Sequence, residues 1–128
     1  MQRKIVLLAA ALCGMAGAMQ AHAQNAPAMV SQTAKGKVLT DAHGMTLYVF
    51  DKDMAGKSMC NGPCIHNWPA LHATAMDKPS GDWTIITRDD GAMQWAYKGK
   101  PLYTWIKDKH AGDMTGDGVN HVWHVATP

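Results

Sequence analysis

The chain contains no glutamate, and all ten of its acidic residues are aspartates. Glutamate is a good helix former, whereas aspartate prefers turns and helix caps. The twelve glycines among the 128 residues favour the same kind of local structure. The composition therefore predicts short strands joined by tight turns and argues against a helical bundle.

Long hydrophobic runs and an excess of charge are also missing. The apolar run at residues 5–19 is shorter than the roughly 20 residues that span a bilayer. The formal net charge is +2, and Arg3 and Lys4 supply it, so the rest of the chain is neutral. Without a basic patch, we expect neither nucleic acid nor an anionic membrane surface as a partner.

The N-terminal segment has the order of a secretory signal peptide. Arg3 and Lys4 precede the apolar run, and an Ala-x-Ala sequence at residues 21–23 offers a cleavage site. We predict cleavage after Ala23, which leaves 105 residues in the periplasm or outside the cell, with no transmembrane segment. Cys13 lies inside the signal and lacks the Leu-like residue three positions earlier that lipid attachment requires.

A repeat with an offset of 55 residues runs through the remaining chain. It aligns Gly44, Leu47, Tyr48, Phe50, Asp53, His66 and Trp68 with Gly99, Leu102, Tyr103, Trp105, Asp108, His121 and Trp123. We predict a flexible lead at 24–34 and one β-rich domain at 35–128, whose two repeats span about 35–72 and 81–127.

The predicted fold is mainly β, built from antiparallel hairpins. β-branched and aromatic runs flank turns rich in Asp and Gly. We expect strands at 37–41, 46–51, 83–88, 92–98, 101–106 and 120–126. One short helical turn at 63–67 is expected to begin at Pro63, because proline favours the first helical position.

The repeat motifs resemble those of a known family. Residues 48–53 and 103–108 both fit Tyr-x-(Phe/Trp/Tyr)-x-x-Asp, and the segments 60–69 and 116–123 follow the same family pattern. The chain thus resembles, over about 36–128, bacterial secreted-repeat proteins labelled predicted lipoproteins with a conserved Yx(FWY)xxD motif. It departs from them in lacking a convincing lipidation site. The resemblance implies secretion and a repeated β-rich domain, and it implies no established reaction.

The repeated motif has two interpretations. Its members are Tyr48, Phe50, Asp53, Tyr103, Trp105 and Asp108. The aromatic residues of each motif share one face of a strand and either grip a ligand or fill the core where the repeats meet. Since aromatic stripes at strand spacing usually belong to a core, we favour packing, with the two aspartates capping turns.

The second candidate site is the pair Cys60 and Cys64. Gly62-Pro63 forms a turn between them, so the two sulfur atoms can meet. In an oxidising compartment an isolated pair favours a structural disulfide. A redox-active or copper-binding pair is the alternative.

Two metal sites remain open as alternatives. His66, His121 and His124, with nearby methionines, offer soft ligands that suit copper. Asp113, Asp117 and Asn120 offer oxygen ligands for calcium, although their spacing does not match an EF-hand. Ordinary packing and turn formation explain both groups, so no cofactor is expected.

The chain has no nucleophile elbow, zinc-protease motif or phosphate loop. No catalytic residues are therefore assigned. The expected function is a non-enzymatic envelope module that binds or scaffolds an unknown ligand or protein, and the alternative is a periplasmic copper-binding or thiol and methionine redox protein.

Overall fold

A computed structural model describes residues 27–128. The predicted signal peptide and its cleavage site lie outside the described residues. Among residues 27–128, none of the helices could span a bilayer. The elements are β1 (Met29–Thr33), β2 (Gly36–Thr40), β3 (Tyr48–Phe50), α1 (Pro63–Asn67), β4 (Trp83–Thr87), β5 (Met93–Tyr97), β6 (Lys100–Pro101), a 3-10 turn (Val119–His121) and β7 (Trp123–Val125).

Within residues 27–128 the strands form three small antiparallel sheets. Their orders are β1-β2, β3-β7 and β4-β5-β6. The mainly antiparallel fold predicted from composition and period is confirmed, and the helical turn begins at Pro63 as expected. The hairpin of β4 and β5 also occurs, closed by the turn that contains Gly91.

The N-terminal lead differs from expectation over its second half. The sequence predicts a flexible lead at 24–34, but Met29–Thr33 pairs with β2 in full register, from Met29 opposite Thr40 to Thr33 opposite Gly36. Gly36 has a φ of 95° and closes the turn. Met29 and Val30 are 51% and 55% exposed. Because this edge strand buries no regular apolar face, its sequence lacks the alternation that marks most strands.

Three predicted strands are much shorter in the structure, and the one expected at 46–51 is reduced to Tyr48–Phe50. The strand expected at 101–106 is reduced to Lys100–Pro101. The strand expected at 120–126 begins only at Trp123, because Asn120 and His121 have φ values of 52° and 62°. A left-handed backbone cannot continue a strand, so the chain makes a 3-10 turn first.

The two repeats exchange their last segments. In the first hairpin, Leu47 donates its N–H to Leu39, and Ala126 from the end of the chain completes the set by donating to Leu47 at 2.8 Å. The second hairpin repeats the pattern, since Leu71 donates to Leu102 at 2.9 Å. Leu71 and Ala126 are 55 residues apart, which is the repeat offset. Each hairpin is therefore completed by the end of the other repeat, and the two repeats form one interlocked unit.

Candidate functional site

The two repeats meet at Tyr48 and Tyr103, which occupy the same position in each. The N–H of Tyr48 donates to the Tyr103 carbonyl oxygen at 2.8 Å, and the N–H of Tyr103 donates back at 3.0 Å. Both side chains are fully buried. This reciprocal pair marks a local two-fold relation between the repeats.

The same two-fold relation includes the motif aspartates, because the hydroxyl group of each tyrosine bonds one of them. The Tyr48 hydroxyl donates to Asp108 at 2.6 Å, and the Tyr103 hydroxyl donates to Asp53 at 2.6 Å. The other oxygen of each carboxylate accepts a backbone N–H, from Thr115 for Asp108 and from Met59 for Asp53. Each tyrosine thus bonds the aspartate of the other repeat, and each aspartate orders the loop that follows it.

Burial raises the pKa of both tyrosines and of one of the two aspartates. Burial, with the hydrogen bond to Asp108, raises the pKa of Tyr48 well above the ordinary tyrosine value. Burial and the bond to Asp53 raise the pKa of Tyr103 in the same way. Burial also raises the pKa of Asp53, against the opposing effects of the Met59 N–H, the Tyr103 hydroxyl and the Arg88 charge.

We predict that Tyr48 and Tyr103, two of the three tyrosines, stay protonated in the native protein at pH values where free tyrosine ionises, about 10. Since their native pKa lies above the unfolded value, the stabilisation they contribute is present below pH of about 10 and is lost at higher pH. Phenolate absorbance and circular dichroism, measured together, should show both groups ionising with unfolding. Ionisation of both in a folded protein would contradict this prediction.

Four aromatic rings form a continuous stack beside the tyrosine pair. Their order is Phe50, Trp123, Trp68 and Trp105, with successive centroid distances of 4.2, 3.8 and 4.0 Å. The rings come alternately from the two repeats. Trp68 and Trp123 are 4% and 3% exposed, so the centre of the stack is core. The structure thus places the motif aromatics in the packing between the repeats.

Gly116 lies against this stack. An added Cβ would be 2.8 Å from an outer ring carbon of Trp68 and 3.0 Å from Trp105. Its N–H donates to the Tyr48 hydroxyl at 3.2 Å. A side chain at this position would therefore push against two indole rings, which accounts for glycine here.

Cys60 and Cys64 form a disulfide in the structure. Cys60 is fully buried against the aromatic core, while Cys64 is half-buried at the start of α1. Cys64 also lines an open cavity with Phe50, Trp68 and Trp123. The bond closes a short loop, so it holds the chain locally beside the stack.

Sequence reasoning missed the buried guanidinium of Arg88, which is 4% exposed. It donates to Ser58 at 2.8 Å and Gln94 at 2.9 Å, and to the carbonyl oxygen of Cys60. Ser58 in turn bonds the Tyr103 hydroxyl at 2.6 Å. Arg88 therefore connects the disulfide loop to the tyrosine pair. The sequence contains no sign that Arg88 is buried, because an arginine directly before a turn such as Asp89-Asp90-Gly91 is normally exposed.

The predicted metal ligands are dispersed. Among residues 27–128, no three His, Cys or Asp side chains come together in a way that could hold a metal ion. His66 and His121 are exposed, and His124 bonds Asp51 at 2.7 Å. A metal role for His66, His121 and His124 stays a prediction.

The aspartates considered as calcium ligands accept hydrogen bonds from backbone N–H groups. Asp113 accepts the N–H groups of Lys109 and His110, both at 2.9 Å. Asp117 accepts the N–H of Val125 at 3.1 Å and pairs with Lys35 at 3.0 Å. These aspartates therefore shape the second loop.

A groove runs along the surface next to β3 and β7. It consists of two adjoining cavities of about 280 and 360 Å³, which share Val49, Asp51, Lys98 and Lys100. The first also reaches Met54 and Ala55, and the second reaches His124, Val125 and Thr127. Below we call this pair of cavities the groove. It combines apolar side chains with exposed charged groups. Three of its lining residues are candidates from the sequence, namely the motif residues Phe50 and Asp53 and the possible metal ligand His124.

Comparison with known proteins identifies a family but no individual relative. No curated protein and no solved structure matches the chain. The sequence model of a family described as a secreted repeat of unknown function matches twice, at residues 29–72 and 84–127. The first match begins where β1 begins, ahead of the boundary at 35 expected from the repeat. Both matches include the tyrosine, aspartate and tryptophan residues that form the interface between the repeats, and the chain belongs to this family of secreted repeats.

Proposed function

We propose that the protein is an exported, non-enzymatic module of the cell envelope that binds a ligand or partner through the groove. The family is one of secreted repeats, which supports export. Cleavage after Ala23 and a periplasmic location are part of this proposal.

The observation that carries the proposal is that the motif tyrosines are occupied by contacts inside the domain, whereas the groove is open at the surface. The motif tyrosines and the aspartates they bond are committed to reciprocal contacts inside the domain. The groove instead offers exposed Lys98 and Lys100 beside the half-buried side chains of Val49 and Tyr97, which pack on buried Leu102 and Ala126. Apolar concave surfaces with a few polar groups are the usual form of a small-molecule site.

A ligand screen by amide NMR tests this function. The ¹⁵N-labelled domain is titrated with amino acids, short-chain acids, sugar phosphates and neutral sugars. At least one class is expected to shift the amides of Val49, Lys98 and Val125 in a saturable manner. The absence of any saturable shift, or shifts confined to another face, would contradict the proposal.

Two alanine variants provide a matched pair. Ala55→Trp introduces an indole at an exposed groove position, whereas Ala75→Trp introduces the same side chain at an exposed position outside the groove. We expect the first to abolish binding of whichever ligand the screen identifies and the second to leave it unchanged. Equal effects of both variants would count against the groove.

A further inference from the structure

We propose that the Cys60–Cys64 bond is an exchangeable disulfide, which accepts two electrons from an external dithiol that attacks Cys64 from the cavity it lines. Neither cysteine lines the groove, so this inference does not depend on the function proposed for the groove. Three features support it: the unequal exposure of the two cysteines, the contacts that hold their loop without the bond, and the equivalent loop of the second repeat.

The two cysteines are unequally exposed. Cys60 is fully buried among the aromatic rings of the core, whereas Cys64 is half-buried. The open cavity of about 460 Å³ beside the stack is lined by Cys64 and not by Cys60. Because a thiolate must reach the sulfur atom that it attacks, Cys64 is the accessible end of the bond and Cys60 is the end that leaves.

Hydrogen bonds hold the disulfide loop in place without the sulfur atoms. The side chain of Arg88 donates to the carbonyl oxygen of Cys60 and, at 3.2 Å, to the side chain of Asn61. The Cys64 N–H donates to the Asn61 carbonyl oxygen at 3.2 Å, and the Trp68 N–H donates to the Cys64 carbonyl oxygen at 2.9 Å. A disulfide that closes so short a loop restricts the unfolded chain less than one that closes a long loop. Reduction should therefore loosen the loop and leave the domain folded.

The second repeat forms the equivalent loop with no disulfide. The offset of 55 residues places Thr115 and Val119 at the positions of Cys60 and Cys64. The Val119 N–H donates to the Gly116 carbonyl oxygen at 3.2 Å, which is the bond that the Cys64 N–H makes in the first repeat. The tryptophans that follow the two loops are buried alike, at 4% and 3% exposed. The fold thus buries this tryptophan without a disulfide, and it does not require the bond in the first repeat.

The exchange balances as a transfer of two electrons. A thiolate of the donor attacks the Cys64 sulfur, the bond between the two cysteines breaks, and Cys60 leaves as a thiolate that takes up a proton. The buried cation of Arg88, which bonds the Cys60 carbonyl oxygen, favours this negative charge. The second thiol of the donor then loses its proton and attacks the donor sulfur of the mixed disulfide, which releases Cys64 to take up a proton. The donor ends as a disulfide and the protein as a dithiol.

Reduction of the oxidised protein by dithiothreitol, followed by alkylation and intact mass, tests whether the native state exchanges. We expect a rate that is proportional to the dithiothreitol concentration and that changes by less than about twofold when urea is raised to about 1 M, below the unfolding transition. If only the unfolded chain reacts, the rate rises roughly tenfold per molar of urea, because urea raises the unfolded population by that order. Such a rise would overturn the proposal.

Single-cysteine variants test which sulfur is accessible. Cys60→Ala leaves Cys64 as a free thiol, and Cys64→Ala leaves Cys60. With an aromatic disulfide reagent such as 5,5′-dithiobis(2-nitrobenzoate), we expect the Cys64 thiol to react at least about tenfold faster than the Cys60 thiol in the folded proteins, and equally fast in concentrated urea. Equal rates in the folded proteins, or a faster Cys60, would overturn the assignment of Cys64 as the attacked sulfur.

The reduced protein tests whether the bond can open reversibly. We expect native circular dichroism at 25 °C, a Tm lower by about 10 °C, and recovery of the disulfide with oxidised glutathione. Loss of the native spectrum on reduction would overturn the proposal, because the disulfide would then be required for folding.

A matched pair of tryptophan variants tests the route through the cavity. Lys52→Trp adds an indole at an exposed position that lines the cavity, and Lys78→Trp adds one at an exposed position outside it. We expect the first to slow reduction by dithiothreitol at least about fivefold and the second to leave the rate unchanged, because bulk beside Cys64 limits access to its sulfur. Equal rates for both variants would overturn attack from the cavity.

Discussion

Trp123→Ala is expected to lower the free energy of unfolding by about 3–5 kcal/mol. Trp123 is 3% exposed and stacks between Phe50 at 4.2 Å and Trp68 at 3.8 Å. Its removal leaves a cavity in the middle of the four-ring stack, which both repeats line. Because domains of this size have a total stability of about 5–15 kcal/mol, the variant should be close to unfolded at physiological temperature.

Urea unfolding followed by far-ultraviolet circular dichroism measures this loss. Trp123→Phe serves as the control, since it retains an aromatic ring in the stack and should cost clearly less than alanine. A second control, Trp83→Ala, removes a half-buried tryptophan that packs on Trp95 and Tyr97, outside the stack. A loss for Trp123→Ala below about 1 kcal/mol, the typical effect of a point mutation, would contradict a central role for the stack.

Arg88→Met should be comparably destabilising, by about 3–5 kcal/mol, because it leaves several buried acceptors without their donor. Methionine approximates the length of the arginine stem and fills part of its space. The Cys60 carbonyl oxygen, the Gln94 side chain and Ser58 would lose their shared donor. A buried acceptor left without a donor costs about 1–3 kcal/mol.

The same unfolding experiment, with two comparison variants, isolates the cause. Arg88→Lys keeps the charge but cannot reproduce the forked contacts, so its loss should be intermediate. Asp90→Asn alters the exposed partner of Arg88, 51% accessible at its side chain, and should change the stability little. If Arg88→Met were as stable as the parent, the network would not be a stabilising element of the disulfide loop.

The disulfide shows how far local sequence could predict the structure. Cys60 and Cys64 flank a Gly-Pro turn, so local chain geometry alone brings their sulfur atoms within reach, and the bond is present. The helical turn after Gly62 has the same local origin, because Pro63 favours a first helical position. Contacts over a few residues depend on backbone preferences that the sequence carries directly.

The groove and the Arg88 network could not be predicted in this way. The groove combines β3, the turn at Lys98 and the last residues of the chain, which lie far apart in sequence. Arg88 bonds Ser58 and Cys60, which precede it by 30 and 28 residues. No periodicity links such partners, and an arginine beside a turn has the same local sequence whether it is exposed or buried.

The antiparallel β class, the repeat offset and the short helical turn follow from the sequence, because each depends on composition or on neighbours along the chain. The same local signals favour, without fixing, the pairing of the two cysteines. Tertiary structure alone decided that Ala126 completes the first hairpin and Leu71 the second. It also decided that each motif tyrosine bonds the aspartate of the other repeat. Contacts within a repeat and contacts between repeats require the same residue types, and only the folded chain distinguishes them.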